Sequence, residues 1–156
     1  MRASLVILAA STCVPSALGR TIAPIPHETC FSEAAERHGL SKRMLVAIAK
    51  TESALRPHVV GPQNANGTFD IGMMQINSAW LPTLGKFGIM QSDLFNPCTN
   101  IHVGAWILAS NIKRYGYTWK AVGAYNAVSP DKQIRYVAKV QKTYAQVASL
   151  LDEVDR

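Results

Sequence analysis

The sequence predicts a mainly α globule in which one short β-like lobe flanks a cleft. Five stretches repeat apolar residues with the 3.6-residue period of a helix. One stretch, Val59 to Asn77, breaks that period with turn residues. The chain has 156 residues, which is the size of a single domain.

The first 19 residues stand apart from that domain. Arg2 is their only charge, and an apolar run beginning Leu5–Ala10 reaches Val14. Ala17 and Gly19 then supply the small-x-small pattern of a cleavage site. This order predicts a secretory signal peptide over 1–19, the alternative being an amphipathic or buried first helix. The run is far short of the roughly 20 apolar residues that span a bilayer, so no transmembrane segment is expected in the mature chain. A lipid anchor on Cys13 is a weaker reading, because bulky Thr12 precedes it. Export would place the protein in the periplasm or otherwise outside the cytoplasm. Residues 20–29, with the Pro-rich stretch Ala23–Pro26, read as an N-terminal arm. Residues 30–151 read as the folded domain and 152–156 as a tail.

Within the domain, Phe31–His38 reads as a helix stopped by Gly39. Ser41 caps a second helix, which puts Leu45, Ile48, Ala49 and Glu52 on one face and should run to Pro57. In the break that follows, Gly61-Pro62, Asn64 and Asn66-Gly67 are turn residues, and Asn-Gly is a tight-hairpin signal. Asn96-Pro97 then opens a long helix with Cys98, Ile101, Ala105, Leu108 and Ile112 on one face. Thr118 opens a shorter helix through Ala121 and Ala124. Ser129-Pro130 opens the last, whose inner face is Val137, Val140, Tyr144, Val147 and Leu151.

Cleavage after Gly19 would leave Cys30 and Cys98, and two cysteines in an exported chain predict one disulfide. The alternative is a pair of buried thiols. The net charge of +6 favours anionic partners such as cell-wall polymers or membrane surfaces. Lys and Arg do not cluster with interleaved aromatics, so no nucleic-acid role is expected. His27, His38, His58 and His102 are scattered without metal-ligand spacing. There is no Gly-rich phosphate loop or nucleophile elbow either. Neither a metal nor a cofactor is expected.

Three segments can carry chemistry. Glu52 lies near a helix end in phase with the apolar face, where desolvation would raise its pKa toward that of a general acid. An exposed helix-end glutamate is the plain alternative. Asp70-Ile71-Gly72-Met73-Met74-Gln75-Ile76-Asn77 combines a Gly that permits close backbone approach with two amides able to bond sugar groups. It also reads as a buried strand with polar ends. Ala124-Tyr125-Asn126-Ala127 sets a phenol beside an amide at a helix end, which is also a common core pattern.

Together the three segments resemble the soluble lytic transglycosylase family of the lysozyme-like superfamily. Its pattern of Glu-Ser, Gly-Leu-Met-Gln, Ala-Tyr-Asn and a later tyrosine reads here as Glu52-Ser53, Gly72-Met73-Met74-Gln75, Ala124-Tyr125-Asn126 and Tyr136. The resemblance spans Cys30 to Leu151. The stretches Asn96–Ile101 and Val103–Leu108 look like the small members that accompany secretion, conjugation or pilus machines. Met73 replaces the usual Leu, a volume-conserving change, and Val128 stands where many relatives have Gly.

The resemblance implies a peptidoglycan-cleaving enzyme without cofactor, acting on glycan strands. Glu52 would be its single acid/base, and Ser53 would orient substrate or Glu52. Met74, Gln75 and Asn77 would contact the sugar, Tyr125 and Tyr136 would hydrogen-bond near Glu52, and Asn126 would support the cleft. Trp80 is either a sugar-stacking platform or an ordinary packed tryptophan. Asp70 is a candidate second carboxylate, since Thr68–Gly72 ahead of Gln75–Ser78 also looks like the second-carboxylate region of animal-type lysozymes. A lysozyme-type hydrolase is therefore the closest rival reading. A non-catalytic cell-wall-binding assembly protein is the rival from another class.

Overall fold

The computed structural model describes the backbone of residues 24–154 and the side chains of residues 24–148. The expected signal peptide and Cys13 lie outside the described residues. Helix α1 spans Glu28–His38, and its end is closed by Gly39 at φ 62°, a left-handed conformation that glycine adopts without a Cβ penalty. Helix α2, Lys42–Ser53, starts where Ser41 Oγ accepts the Met44 N–H at 3.4 Å. Its residues Leu45 to Ala49 are all buried and form the centre of the core.

Helix α2 stops before Pro57, contrary to the sequence reading. Ala54 and Leu55 both turn left-handed, at φ 54° and 63°. Their N–H groups return to Lys50 O and Ala49 O at 3.1 and 3.4 Å, satisfying carbonyls that further helical turns would otherwise have used.

The β lobe is small. Strands β1 (Asp70–Ile71) and β2 (Ile76–Asn77) pair antiparallel with Asp70 opposite Asn77, and Val60 adds an isolated bridge to Ile71. The hairpin turns at Gly72–Gln75, not at Asn66-Gly67. The Asn-Gly pair instead closes a separate loop, in which the Asn64 N–H donates to Thr68 O at 2.7 Å and Asn66 Oδ1 accepts from the Thr68 N–H. A 3-10 turn over Ser78–Trp80 and a short helix α3, Leu81–Gly85, lead away from the lobe.

Helix α4, Pro97–Tyr115, begins as expected, with Asn96 Oδ1 accepting the Thr99 N–H at 3.1 Å and Pro97 in the first turn. It is the central helix. Asn100, Ile101, Val103, Gly104, Ala105, Ile107 and Leu108 are all buried, so more of its circumference than one stripe is enclosed. The Cys30–Cys98 disulfide joins its first turn to α1, with Cα atoms 5.2 Å apart across a sequence separation of 68.

Helix α5, Trp119–Asn126, follows Thr118, whose hydroxyl donates to Tyr115 O and makes no cap bond. Helix α6, Pro130–Val154, buries Val140 and Val147 and half-buries Val137 and Tyr144, while the Leu151 side chain lies outside the described residues. Helix α6 packs along α2. Thr51 Oγ1 donates to Thr143 Oγ1 at 3.0 Å, and the Arg43 guanidinium sits 3.8 Å over the Tyr144 ring while donating to Tyr144 O. Among the described residues no helix is long and apolar enough to cross a membrane.

Candidate active site

The packing of α6 on α2 brings Tyr136 against Glu52. The Tyr136 hydroxyl donates to Glu52 Oε1 at 2.5 Å. Glu52 borders a cleft of about 750 Å³ whose other walls include Asp70, Gln75, Asn77, Trp80, Tyr125, Asn126 and Lys132. Helix α2 supplies the acid, the β lobe one wall, and the α5–α6 corner the other.

Burial is the dominant influence on Glu52. Its pKa is pushed up to about 7, first by desolvation, while the Tyr136 hydrogen bond opposes that rise. The negative charge of Asp70 adds to the rise and the positive charge of Lys139 lowers it. Burial also holds the Tyr125 and Tyr136 phenols well above their ordinary pKa, which keeps both as hydrogen-bond donors. Tyr125 uses its hydroxyl to grip Met74 O at 2.9 Å, tying α5 to the hairpin.

The hairpin under the cleft is held by a buried polar side chain. Asn100, on the apolar face of α4, accepts the Met74 N–H at 2.7 Å and donates to Ile71 O and Leu94 O at 2.9 and 2.8 Å. Gln75 sits at φ 49°, and its amide donates to Gly72 O at 2.8 Å and Val59 O at 3.2 Å. A non-glycine residue in that region carries strain that surrounding structure must sustain. Asp70 is also tied down, because Asn77 Nδ2 donates to its Oδ1 at 2.8 Å. Asn77 Nδ2 lies 3.1 Å from Thr68 Oγ1 as well, and its Oδ1 caps the 3-10 turn by accepting the Ala79 N–H.

Residues 29–146 match the family model described as "Transglycosylase SLT domain". The chain belongs to that SLT transglycosylase family. It is 40% identical over 129 residues to "Invasion protein IagB" of Salmonella typhimurium, covering 80% of each chain. It is 35% identical over 133 residues to "Protein IpgF" of Shigella flexneri, covering 80% of this chain and 87% of that one. Among solved structures, it is similar to the 70 kDa soluble lytic transglycosylase SLT70 of Escherichia coli, with TM-score 0.69 and 22% identity. That likeness covers 82% of this chain and 25% of the larger protein, so this chain spans about a quarter of its length. The lytic transglycosylase Slt of Pseudomonas aeruginosa gives the same picture, with TM-score 0.67, 22% identity, and 83% and 25% covered. The fold is therefore the lysozyme-like one that the sequence predicts, and the protein is a lytic transglycosylase.

Not every expected contact residue of this SLT transglycosylase reaches the cleft. Ser53 is 2% exposed, and its hydroxyl donates to Met73 O at 2.7 Å, so it anchors the hairpin to the end of α2. The Met74 side chain is fully buried against Gly104, where a Cβ would come within 2.7 Å of the Met74 methyl. Only its carbonyl is used near the site, by Tyr125. Gln75, Asn77, Tyr125 and Asn126 do border the cleft. Trp80 lines it too, held edge-on against Trp106 with ring centroids 5.3 Å apart.

Sequence reasoning missed Asn100, Asn64, Asn66 and Lys132. Asn100 carried a readable signal: it falls four and eight residues before Gly104 and Leu108, and a polar residue on a buried face must find partners. The loop amides and Lys132 carried none, because their place in the cleft depends on how two distant segments meet.

Proposed function

We propose that the protein is exported to the periplasm and cleaves peptidoglycan between N-acetylmuramic acid and N-acetylglucosamine, leaving 1,6-anhydromuramyl ends. The observation that carries this reading is the environment of Glu52, a half-buried carboxyl near pKa 7 held by Tyr136. Such a group can be protonated when substrate arrives and ionised after giving its proton away.

In the first step Glu52 donates its proton to the glycosidic oxygen as the bond to the muramic C1 breaks. The N-acetyl oxygen of the same sugar stabilises the cationic centre. Glu52, now a carboxylate, takes the proton of the muramic C6 hydroxyl, and that oxygen bonds to C1. Glu52 ends as it began and no water is consumed. The hydroxyl competes well against water because it is already held on the reacting sugar, and such intramolecular reactions reach effective molarities of roughly 10⁵–10⁸ M. The amides of Gln75, Asn77 and Asn126 suit the N-acetyl and hydroxyl groups of the strand.

A local cut in the wall is the work we assign to it, made for a secretion, conjugation or pilus machine. The likeness to a Salmonella invasion protein supports that assignment. So does the 35% identity to a protein of Escherichia coli O157:H7 named as peptidoglycan-binding-like.

One observation favours a second reading. Asp70 lies in the same cleft and its charge acts on Glu52, as a second carboxylate in a lysozyme-type hydrolase would. Mass spectrometry of the released muropeptides separates the two. The transglycosylase yields anhydromuramyl products, and Asp70→Asn keeps most of the activity, because no nucleophilic carboxylate is required. Reducing muramic ends as the main product, with an inactive Asp70→Asn protein, would establish the hydrolase instead.

A further inference from the structure

Helix α6 carries four cations, Lys132, Arg135, Lys139 and Lys142, at spacings of three, four and three residues. At 100° per residue these positions fall within one narrow flank of the helix. Among the described residues none of the four meets a carboxylate within 4.0 Å. The first of the four, Lys132, lines the cleft, and on its other side round the helix Tyr136 touches Glu52. The charge of Lys139 is felt at Glu52 as well. The stripe thus starts in the cleft and runs along α6 for ten residues, about 15 Å at 1.5 Å per residue.

Four like charges on one helix flank repel one another, and like pairs at helical spacing are destabilising. A stripe of this kind is relieved by an anionic partner. We propose that it binds the carboxylates of the peptide branches that the muramic residues of peptidoglycan carry, so that the enzyme grips the strand beyond the sugars being cut. An extended branch of four or five residues spans about 15 Å, the length of the stripe. The inference rests on peptidoglycan being the substrate but not on which bond rearrangement follows. The same cations supply much of the charge that draws the enzyme to an anionic wall.

The test is a binding measurement with catalysis switched off. Glu52→Gln protein is sedimented with insoluble peptidoglycan in three forms: intact, stripped of its peptides by an amidase, and intact with its peptide carboxylates converted to amides. Intact material should bind about threefold to tenfold more tightly than either of the others, the range expected from two or three exposed ion pairs. The preference should fade at 1 M salt. Adding Arg135→Gln and Lys142→Gln, both outside the cleft lining, should abolish the preference while leaving binding to the stripped glycan unchanged. Equal binding of all three forms, or a preference that survives the double substitution, would overturn the proposal. So would a double variant that loses affinity only for vesicles of acidic phospholipid, which would assign the stripe to a membrane. Failure of the product assignment appears in the muropeptides released by the active enzyme, and leaves this binding result standing.

Discussion

A carboxyl that must first give and then take a proton works best with a pKa near the pH of its medium. Glu52 is brought there mainly by burial, with Tyr136 working against the rise. Its folded pKa of about 7 stands above the ordinary value of 4.5, so the folded state favours the protonated form. The protein therefore keeps its full stability below about pH 4.5 and loses some as pH rises from there through 7. The loss is on the order of 3 kcal/mol at most. Glu52→Gln removes that loss while still accepting the Tyr136 hydrogen bond, so it should melt higher than the wild type at pH 8 and almost identically at pH 4. Thermal melts at the two pH values check this, and an equal shift at both would contradict it. Cell-wall cleavage by the same variant should fall by at least roughly 10²–10⁴-fold, because no proton can be delivered. Tyr136→Phe removes the contact that favours ionised Glu52, so the alkaline limb of the pH–activity profile should move up. Asp70→Asn removes a charge that opposes ionisation, so the same limb should move down.

The elements that matter most are the short hairpin and the helix behind it. Gly72 is at φ 76°, and a Cβ there would sit 2.3 Å from Asn100 Nδ2 and 2.5 Å from Leu94 O. Gly72→Ala must move either the hairpin or Asn100, the side chain that holds it. Left-handed strain and overpacking together should lower stability by about 2–4 kcal/mol. Gly39→Ala is the control: it has a similar φ of 62° but nothing within 4 Å, so it should cost only about 1–2 kcal/mol. Urea melts of the two variants compare the costs, and cleavage assays should show activity lost only in Gly72→Ala. Equal costs would mean that the hairpin is not gripped as tightly as the contacts indicate.

At the scale of the whole molecule, the Cys30–Cys98 bond pins α1 to the start of the central helix. Closing a loop across a separation of 68 residues is worth roughly 4 kcal/mol in the chain-entropy model. Replacing both cysteines by serine should lower stability by about that amount in denaturant melts. Neither cysteine borders the cleft, so cleavage at low temperature should stay near the wild-type rate. An unchanged melt would mean that the bond adds nothing to packing already present, and a lost activity at low temperature would mean that α1 supports the cleft directly.

The order of the five longer helices, the Ser41 and Asn96 caps, the glycine stop at Gly39 and the place of Glu52 near the end of α2 were all determined by the sequence alone, while the short α3 was not. These depend on neighbours within a turn or two, where period and capping chemistry act directly. The end of α2 and the hairpin turn were not, because strong local signals at Pro57 and Asn66-Gly67 were outweighed. Helix α2 ends where Ser53 can anchor the hairpin at Met73 O, and the hairpin turns where Asn100 can satisfy Ile71 O and the Met74 N–H. The family resemblance implied that Ser53 would orient substrate or Glu52 and that Met74 would contact the sugar, but the final packing buries both side chains. The Tyr136–Glu52 bond, the action of the Asp70 and Lys139 charges on the same carboxyl and the place of Lys132 in the cleft likewise belong to tertiary structure. They join side chains far apart in the chain, and only the docking of α6 and the β lobe on α2 decides their geometry.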